Sequence, residues 1–275
     1  MQRKAGPLFY LFLVVFVFFV MFPFLWMLAS SIKPASELFG DDAFNPFTSN
    51  ATLENYVSVF TNYPFLQYLW NSFVISSITT IYTVLVASFA AYAIARLQFK
   101  GKTIILGIVL SVTMFPQIAT ISPIYVFLKN MGLTNSYLGL IIPYTTITLP
   151  LSIWLLVTFF RKIPNDLEEA ARMDGASLMQ TYWRVILPLA MPGIFTTAIL
   201  VFIAAWNEFL FALTINTDDR YKTVPIGISM FQGQYTIQWG EIAAATVIVT
   251  VPLVILVLIF QRRIVSGLTS GSVKE

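Results

Sequence analysis

The chain has 275 residues, 57% of them hydrophobic and 11% charged, with 16 Lys and Arg against 13 Asp and Glu for a net charge of +3. Cys and His are both absent, which excludes disulfides, thiolate metal sites and Cys nucleophiles and removes the commonest general base and metal ligand, and with them most hydrolase readings. A mean hydropathy of +0.79 and 25 Phe put the chain in the membrane class, where basic residues bear on orientation and no nucleic-acid partner or metal is expected.

Arg3 and Lys4 precede an apolar run from Leu8 to Leu28, an arrangement shared with signal peptides. The run has the length of a membrane span, roughly 20 residues, and exceeds an ordinary signal core. "LASS" (Leu28–Ser31) is a poor cleavage site and a lipoprotein signal would need a Cys, so a retained first span is expected. Six stretches reach spanning length: Leu8–Ala29, Leu69–Ile94, Ile104–Leu128, Tyr137–Phe160, Leu189–Ile215 and Ile242–Phe260. Helices are the default in lipid, because each unpaired backbone group there costs several kcal/mol. The alternating segments of a membrane β-barrel are missing. The predicted fold is therefore all-α: a polytopic membrane protein with six transmembrane helices in a single domain over residues 1–275.

With the N-terminus inside, the inner segments hold Arg3, Lys4, Arg96, Lys100, Lys102, Arg161, Lys162, Arg172, Arg184, Arg262, Arg263 and Lys274. The outer segments hold Lys33, Lys129, Arg220 and Lys222. Twelve of the 16 basic residues thus fall inside, and the positive-inside rule predicts that both termini are cytoplasmic. Two longer outer segments follow, Lys33–Tyr68 and Asn216–Gly240, rich in Asn, Pro, Asp and aromatics.

Within the second span, Ser72, Ser76, Thr80, Ala87, Ala91 and Ala95 recur at intervals suited to close helix packing. Pro116, Pro123, Pro143, Pro150 and Pro252 lie in or near spans, either as kinks that shape a pathway or as prolines whose lost bonds neighbours replace. No internal repeat is visible, so the inverted-repeat signature of secondary transporters is not apparent. "GKT" at Gly101–Thr103 is not a phosphate-binding loop, since the Gly required five residues earlier is Arg96. Nothing else in the sequence suggests ATP hydrolysis.

The inner segment between the fourth and fifth stretches is out of character. It reads "RKIPNDLEEAARMDGASLMQTYWRVILPLAMPG". Pro164 can start a helix; Asp166, Glu168 and Glu169 then sit at its positive end, and Ala170 and Ala171 favour it at almost no bulk. Gly175 can end the helix or admit another backbone. A second short helix is expected over Met179–Arg184, leading to Pro188. The segment reads either as an amphipathic connector or as a small, acid-flanked surface made for docking; a plain connector could be far shorter.

Glu169-Ala170-Ala171, Gly175 and Val185-Ile186-Leu187-Pro188 together resemble the "EAA…G…I-x-LP" loop of membrane subunits of binding-protein-dependent ABC importers, with Val185 in place of the usual Ile. "AWNEFLFAL" (Ala205–Leu213) and the tail "QRRIVSGLTSGSVKE" (Gln261–Glu275) resemble the sugar-importing branch, close to maltose- and trehalose-type permeases of the smaller kind. The likeness covers essentially the whole chain. It implies a cytoplasmic coupling-helix loop over 163–184, with Glu169, Ala170, Ala171, Asp174 and Gly175 at the contact with an ATPase. It also implies a cytoplasmic tail over 261–275, in which Gly267, Leu268, Thr269, Ser270 and Gly271 reach the ATPase pair. The implied partners are a second, homologous permease forming a heterodimer, two ATPase subunits, an extracellular sugar-binding protein and membrane lipid. No cofactor would be bound by this chain; ATP and magnesium would be used by the partner ATPase. The implied place is the bacterial or archaeal cell (inner) membrane.

Glu208, beside Trp206 and Asn207, is the one clear intramembrane carboxylate in the sequence, and such charges are costly and usually functional. Trp206, Asn207 and Glu208 read either as part of the translocation pathway, hydrogen-bonding sugar hydroxyls beside stacking aromatics, or as a polar group that holds helices together. The resemblance adds that the smaller permease of a heterodimer can leave the sugar to its partner. The function implied is a sugar importer permease; glycerol-phosphate and polyol importers share the motifs. A stand-alone ion-coupled transporter would rest on Glu208 almost alone. An intramembrane enzyme would need a Ser–Lys or paired-Asp site that the spans do not supply, and a purely structural membrane protein leaves the loop unexplained.

Overall fold

A computed structural model gives the structure of residues 6–39, 45, 47–48, 50–233 and 237–269, with only the backbone described for 262–269. Its elements are helical: α1 (Pro7–Ser31), α2 (Ala35–Leu38), α3 (Glu54–Thr61), α4 (Phe65–Arg96), α5 (Lys102–Ser111), α6 (Gln117–Asn130), α7 (Tyr137–Lys162), α8 (Asp166–Met173), α9 (Leu178–Thr181), α10 (Leu187–Leu189), α11 (Met191–Trp206), α12 (Leu210–Ile215), α13 (Val224–Ser229) and α14 (Trp239–Thr269). Among the described residues the one β feature is an isolated bridge between Gln232 and Ile237. The expected all-α class holds.

Four helices are long and apolar enough to cross a membrane by themselves: Pro7–Ser31, Phe65–Arg96, Tyr137–Lys162 and Trp239–Gln261. The other two expected spans are broken. Lys102–Met114 and Gln117–Asn130 meet at 96°, and Leu178–Leu189 and Met191–Trp206 at 76°. The first break has a local cause. Pro116 lacks an N–H and crowds the residue before it out of the helical region, and Phe115 is extended at ψ 131°. Pro123, Pro143, Pro150 and Pro252 all lie inside continuous helices. Of the five prolines, Pro116 alone sits at a break.

The chain forms two compact units. The first comprises the described residues of Met1–Leu66 and Gly227–Pro252. There α1 is apolar on all sides and Ser31 is its one buried residue, as expected of a helix solvated by lipid. Ser31 Oγ donates to Leu28 O at 2.7 Å and is hydrogen-bonded to Tyr56 Oη at 2.8 Å. Asn55 Nδ2 donates to Ser31 O and Lys33 O at 3.0 and 2.8 Å, closing the chain after α1 onto α3. Ser58 donates to Glu241, and the Tyr63 ring stands edge-on to Phe231 at 4.5 Å.

The second unit, the described residues of Gln67–Ile226 and Leu253–Glu275, carries the two larger apolar cores. One gathers Ala87, Ala91, Tyr92, Leu156, Phe160, Tyr182 and Ile186. The other gathers Ile75, Leu128, Leu140, Tyr144, Phe211 and Ile215. Of the six small residues anticipated on α4, Ser72 is 2% exposed and Ser76, Ala87 and Ala91 are 0% exposed, while Thr80 and Ala95 are half-buried. Gly193 serves the same closeness on α11, since a Cβ there would run into the ring of Phe159 on α7. Turns near the start of α4 and between α6 and α7 are tied to the chain after α12 by side-chain amides. Asn71 Nδ2 donates to Arg220 O and Lys222 O at 3.0 and 2.8 Å. Asn135 Oδ1 accepts from Thr217 N and Asp218 N at 2.8 and 2.9 Å.

Candidate functional site: an exposed helix and a polar cleft

Between α7 and α11 the chain leaves the bundle for about twenty residues. Residue Asn165 precedes α8, which begins at Asp166 and not at Pro164. Asp166, Glu168 and Glu169 all fall in its first turn, at the positive end of the dipole. The helix ends in a Schellman turn: Ala176 N donates to Ala171 O at 2.9 Å and Gly175 N to Arg172 O at 3.0 Å. Gly175 adopts φ +83°, and nothing lies within 4 Å of a Cβ built there. In this chain its requirement is therefore conformational, a left-handed cap, rather than steric. A capping box, Ser177 with Gln180, then opens α9. The expected second helix over Met179–Arg184 is instead this short turn followed by π-helical backbone at Tyr182–Ile186.

The two adjacent glutamates have opposite fates. Glu169 is exposed, together with Ala170, Asp174 and Gly175, while Ala171 is half-buried. Beside them Met173 is 89% exposed and Leu167 40%, an apolar complement with no cover in the chain. Glu168 turns inward, 5% exposed. Its Oε1 lies 3.2 Å from Arg96 Nε and its Oε2 lies 3.7 Å from an Arg172 nitrogen. Arg96, the last residue of α4, also donates to Asn165 Oδ1 and Ile163 O. The sequence reading uses Arg96 for orientation and against a phosphate-binding loop, and Glu168 for the helix dipole; it does not pair them. The i,i+4 spacing of Glu168 and Arg172 was the available signal.

A cleft of about 400 Å³ opens among α6, α7, α11 and the start of α12; most of its lining is apolar, with a polar patch of Gln117, Thr148, Ser152, Thr197, Asn207 and Glu208. Of the three residues grouped by sequence, Asn207 and Glu208 line it; Trp206 is 3% exposed and stacks on Phe202 at 5.6 Å. Glu208 is 8% exposed. Its two oxygens accept the N–H groups of Phe211 and Ala212 at 2.9 and 3.2 Å, so the carboxylate caps α12 where α11 has ended. Asn207 Nδ2 donates to Ile203 O at 2.9 Å, and the residue is exposed. Of the tail residues, Gly267, Leu268 and Thr269 lie in the last turns of α14, which continues past Gln261. Ser270 and Gly271 lie outside the described residues.

The family model for the inner membrane component of binding-protein-dependent transport systems matches residues 83–270, which include α8 and the polar cleft. The chain belongs to that family. This permease is 47% identical over 258 residues to a trehalose/maltose transport system permease protein of Thermococcus litoralis, covering 92% of this chain and 91% of that protein. It is 45% identical over 258 residues to a trehalose transport system permease protein of Mycobacterium tuberculosis, with 93% of each chain covered. The fold is that of a chain in a crystal structure of a bacterial ABC transporter involved in the import of the acidic polysaccharide alginate, at a TM-score of 0.80 and 20% identity, covering 95% of this chain and 98% of that one. Family membership makes the permease a multi-pass membrane transport component and not an enzyme.

Proposed function

We propose that this chain is the smaller permease subunit of an ATP-driven sugar importer and forms half of its translocation pathway. The observation that carries the reading is the exposed surface of α8, Glu169, Ala170, Asp174 and Gly175 around Met173, held clear of the bundle within the family match. A short acidic helix with small residues and an apolar tip fits a groove on a partner, and the chain has no nucleotide site in its sequence to supply energy itself. Its partners are a second, different permease, two ATPases that use ATP and magnesium, and an extracellular sugar-binding protein. The relatives' trehalose and maltose transport makes those disaccharides the substrates of choice here, ahead of glycerol phosphate or a polyol. ATP-driven closure of the ATPases would displace α8 and switch the spans between two states.

In this reading each bent pair is one span, giving six, with both termini and α8 cytoplasmic in the cell (inner) membrane and the tail over 261–275 beside the ATPases. The polar cleft is this subunit's wall of the pathway, with Asn207 at its surface. An ion-coupled transporter would rest on Glu208 almost alone, and both oxygens of that carboxylate are engaged in capping α12.

Two experiments test the proposal. The chain has no Cys, so single cysteines at Ser177 and at Thr48 can be labelled from one side of the membrane at a time. Labelling of both from the same side rejects the topology. Co-purification of the ATPase with the permease should be lost on Ala170→Arg, a good helix former that adds bulk and charge to the docking face, with membrane insertion unchanged. Equal retention by wild type and variant means the ATPase docks elsewhere.

A further inference from the structure

The guanidinium of Arg96 gathers three groups of the loop around one point: Ile163 O, Asn165 Oδ1 and Glu168 Oε1. These lie on the turn that leads into α8 and on its first turn. The Arg96 side chain is 4% exposed and that of Glu168 7%, so the contact is dry on both sides. A second set of contacts holds the far end of the loop to the same helix. Ser88 Oγ lies 2.7 Å from Tyr182 Oη, Phe89 stacks on Tyr182 at 5.0 Å, and Tyr92 meets it at 5.1 Å. Ser88, Tyr92 and Arg96 are spaced four apart, on one face of α4. The loop is thus pinned to α4 at both ends, while the surface between the pins faces outward.

A buried ion pair is a poor way to gain stability, because desolvation of both charges offsets most of their attraction. What it supplies is direction. The planar fork of Arg offers five donors in fixed geometry, and here it ties α8 and its lead-in to one helix terminus. α4 then runs on for about 48 Å at 1.5 Å per residue. At mid-length Thr83 Oγ1 lies 3.2 Å from Thr148 Oγ1, and Thr148 lines the polar cleft.

We propose that Arg96 is the strut of this permease: a positioning residue that acts through Glu168 to carry the displacement of α8 into α4, and thence to the cleft. The inference rests on the reading of α8 as the ATPase-docking helix. It differs from it in assigning the inward, buried glutamate to transmission and the outward one to docking.

The test uses the permease reconstituted with the partner permease, ATPase and binding protein of its importer in proteoliposomes, with trehalose as the transported sugar. Three quantities are read: ATPase retained, ATP hydrolysed and trehalose taken up. The key variant is Arg96→Gln/Glu168→Gln, which removes both charges and leaves two amides able to pair, so that neither partner is stranded. The double variant should retain the ATPase as wild type does, while trehalose moved per ATP falls at least about fivefold, the lower end of ordinary allosteric coupling. Arg96→Gln alone should fall no less than the double variant. Arg96→Lys, which keeps the charge but not the fork, should recover part of the ratio. Uptake per ATP within twofold of wild type in the double variant overturns the proposal. Loss of ATPase retention in the double variant also overturns it, because Arg96 would then only shape the docking surface. Failure of the wild type to retain the ATPase sinks the docking reading itself, and with it this inference.

Discussion

The carboxylate of Glu208 accepts the backbone N–H of Phe211 at 2.9 Å, with its second oxygen 3.2 Å from Ala212 N. One acidic side chain therefore satisfies two of the amides exposed where the helix resumes after Trp206. In a span this matters more than in water, because no solvent substitutes for a missing acceptor. Those bonds offset part of the cost of placing a carboxylate there, where Glu208 lines the cleft beside Asn207.

Replacing Glu208 by Ala removes both acceptors and should destabilise the permease by about 1–3 kcal/mol, the cost of leaving buried donors unpaired. Glu208→Gln keeps one acceptor oxygen and should lose less. Thermal unfolding in detergent, read by the loss of the monodisperse peak, ranks the three. Equal midpoints for Ala and wild type would mean the cap carries no weight.

Gly175 sits at φ +83° with open space around it. A side chain there meets no atom of this chain, but L-residues other than Asn and Asp resist that backbone by roughly 1–2 kcal/mol. Protease cleavage within Met173–Ser177 should accordingly rise in the order Gly, Asn, Ala at position 175. If Ala and Asn behave alike, strain is not what selects glycine here.

Gly193 is a different case. Added atoms on α11 would overlap the Phe159 ring on α7, and overpacking of this kind costs about 1–3 kcal/mol. Gly193→Ala should lower the melting midpoint, and Phe159→Leu in the same chain should restore much of the loss. Absence of any such compensation would argue that the two helices can separate freely at this point.

In the turn after α12, hydrogen bonds from the Arg220 side chain and backbone lower the Asp218 pKa to about 2. A lowered carboxylate pKa contributes stability that is present above the unfolded value, near 4, and is lost as pH falls through the folded value. The Asp218–Arg220 contact, 2.7 Å at its shortest, should therefore be unchanged from pH 5 to pH 8. Carboxyl-carbon NMR of the full chain labelled at Asp checks this. A titration midpoint for Asp218 near the ordinary Asp value would contradict it; Arg220→Gln should produce that value.

Composition alone determined the class of this protein. A hydrophobic, Phe-rich chain without Cys or His has to bury its backbone bonds in helices, and the placement of Lys and Arg gives an orientation to test. The exposed helix α8 was also legible, because a charged, Ala-rich stretch with a Gly cap is a local departure from an apolar background. Hydropathy averages over breaks, so it misses the extended Phe115 before Pro116 in stretch three, and in stretch five the bend at its start, at Ala190, and the gap between Trp206 and Leu210. The tertiary structure decided which of two neighbouring glutamates faces outward. Glu168 and Glu169 are alike in helix propensity and in dipole position, and what separates them is Arg96, whose other partner Asn165 lies 69 residues away. It likewise decided that Glu208 caps a helix, since the amides it serves are freed only by the end of α11. Patterns along the chain report what each residue prefers. Pairing between distant residues depends on which groups the packed helices bring within 3 or 4 Å of one another, and no window of the sequence contains both.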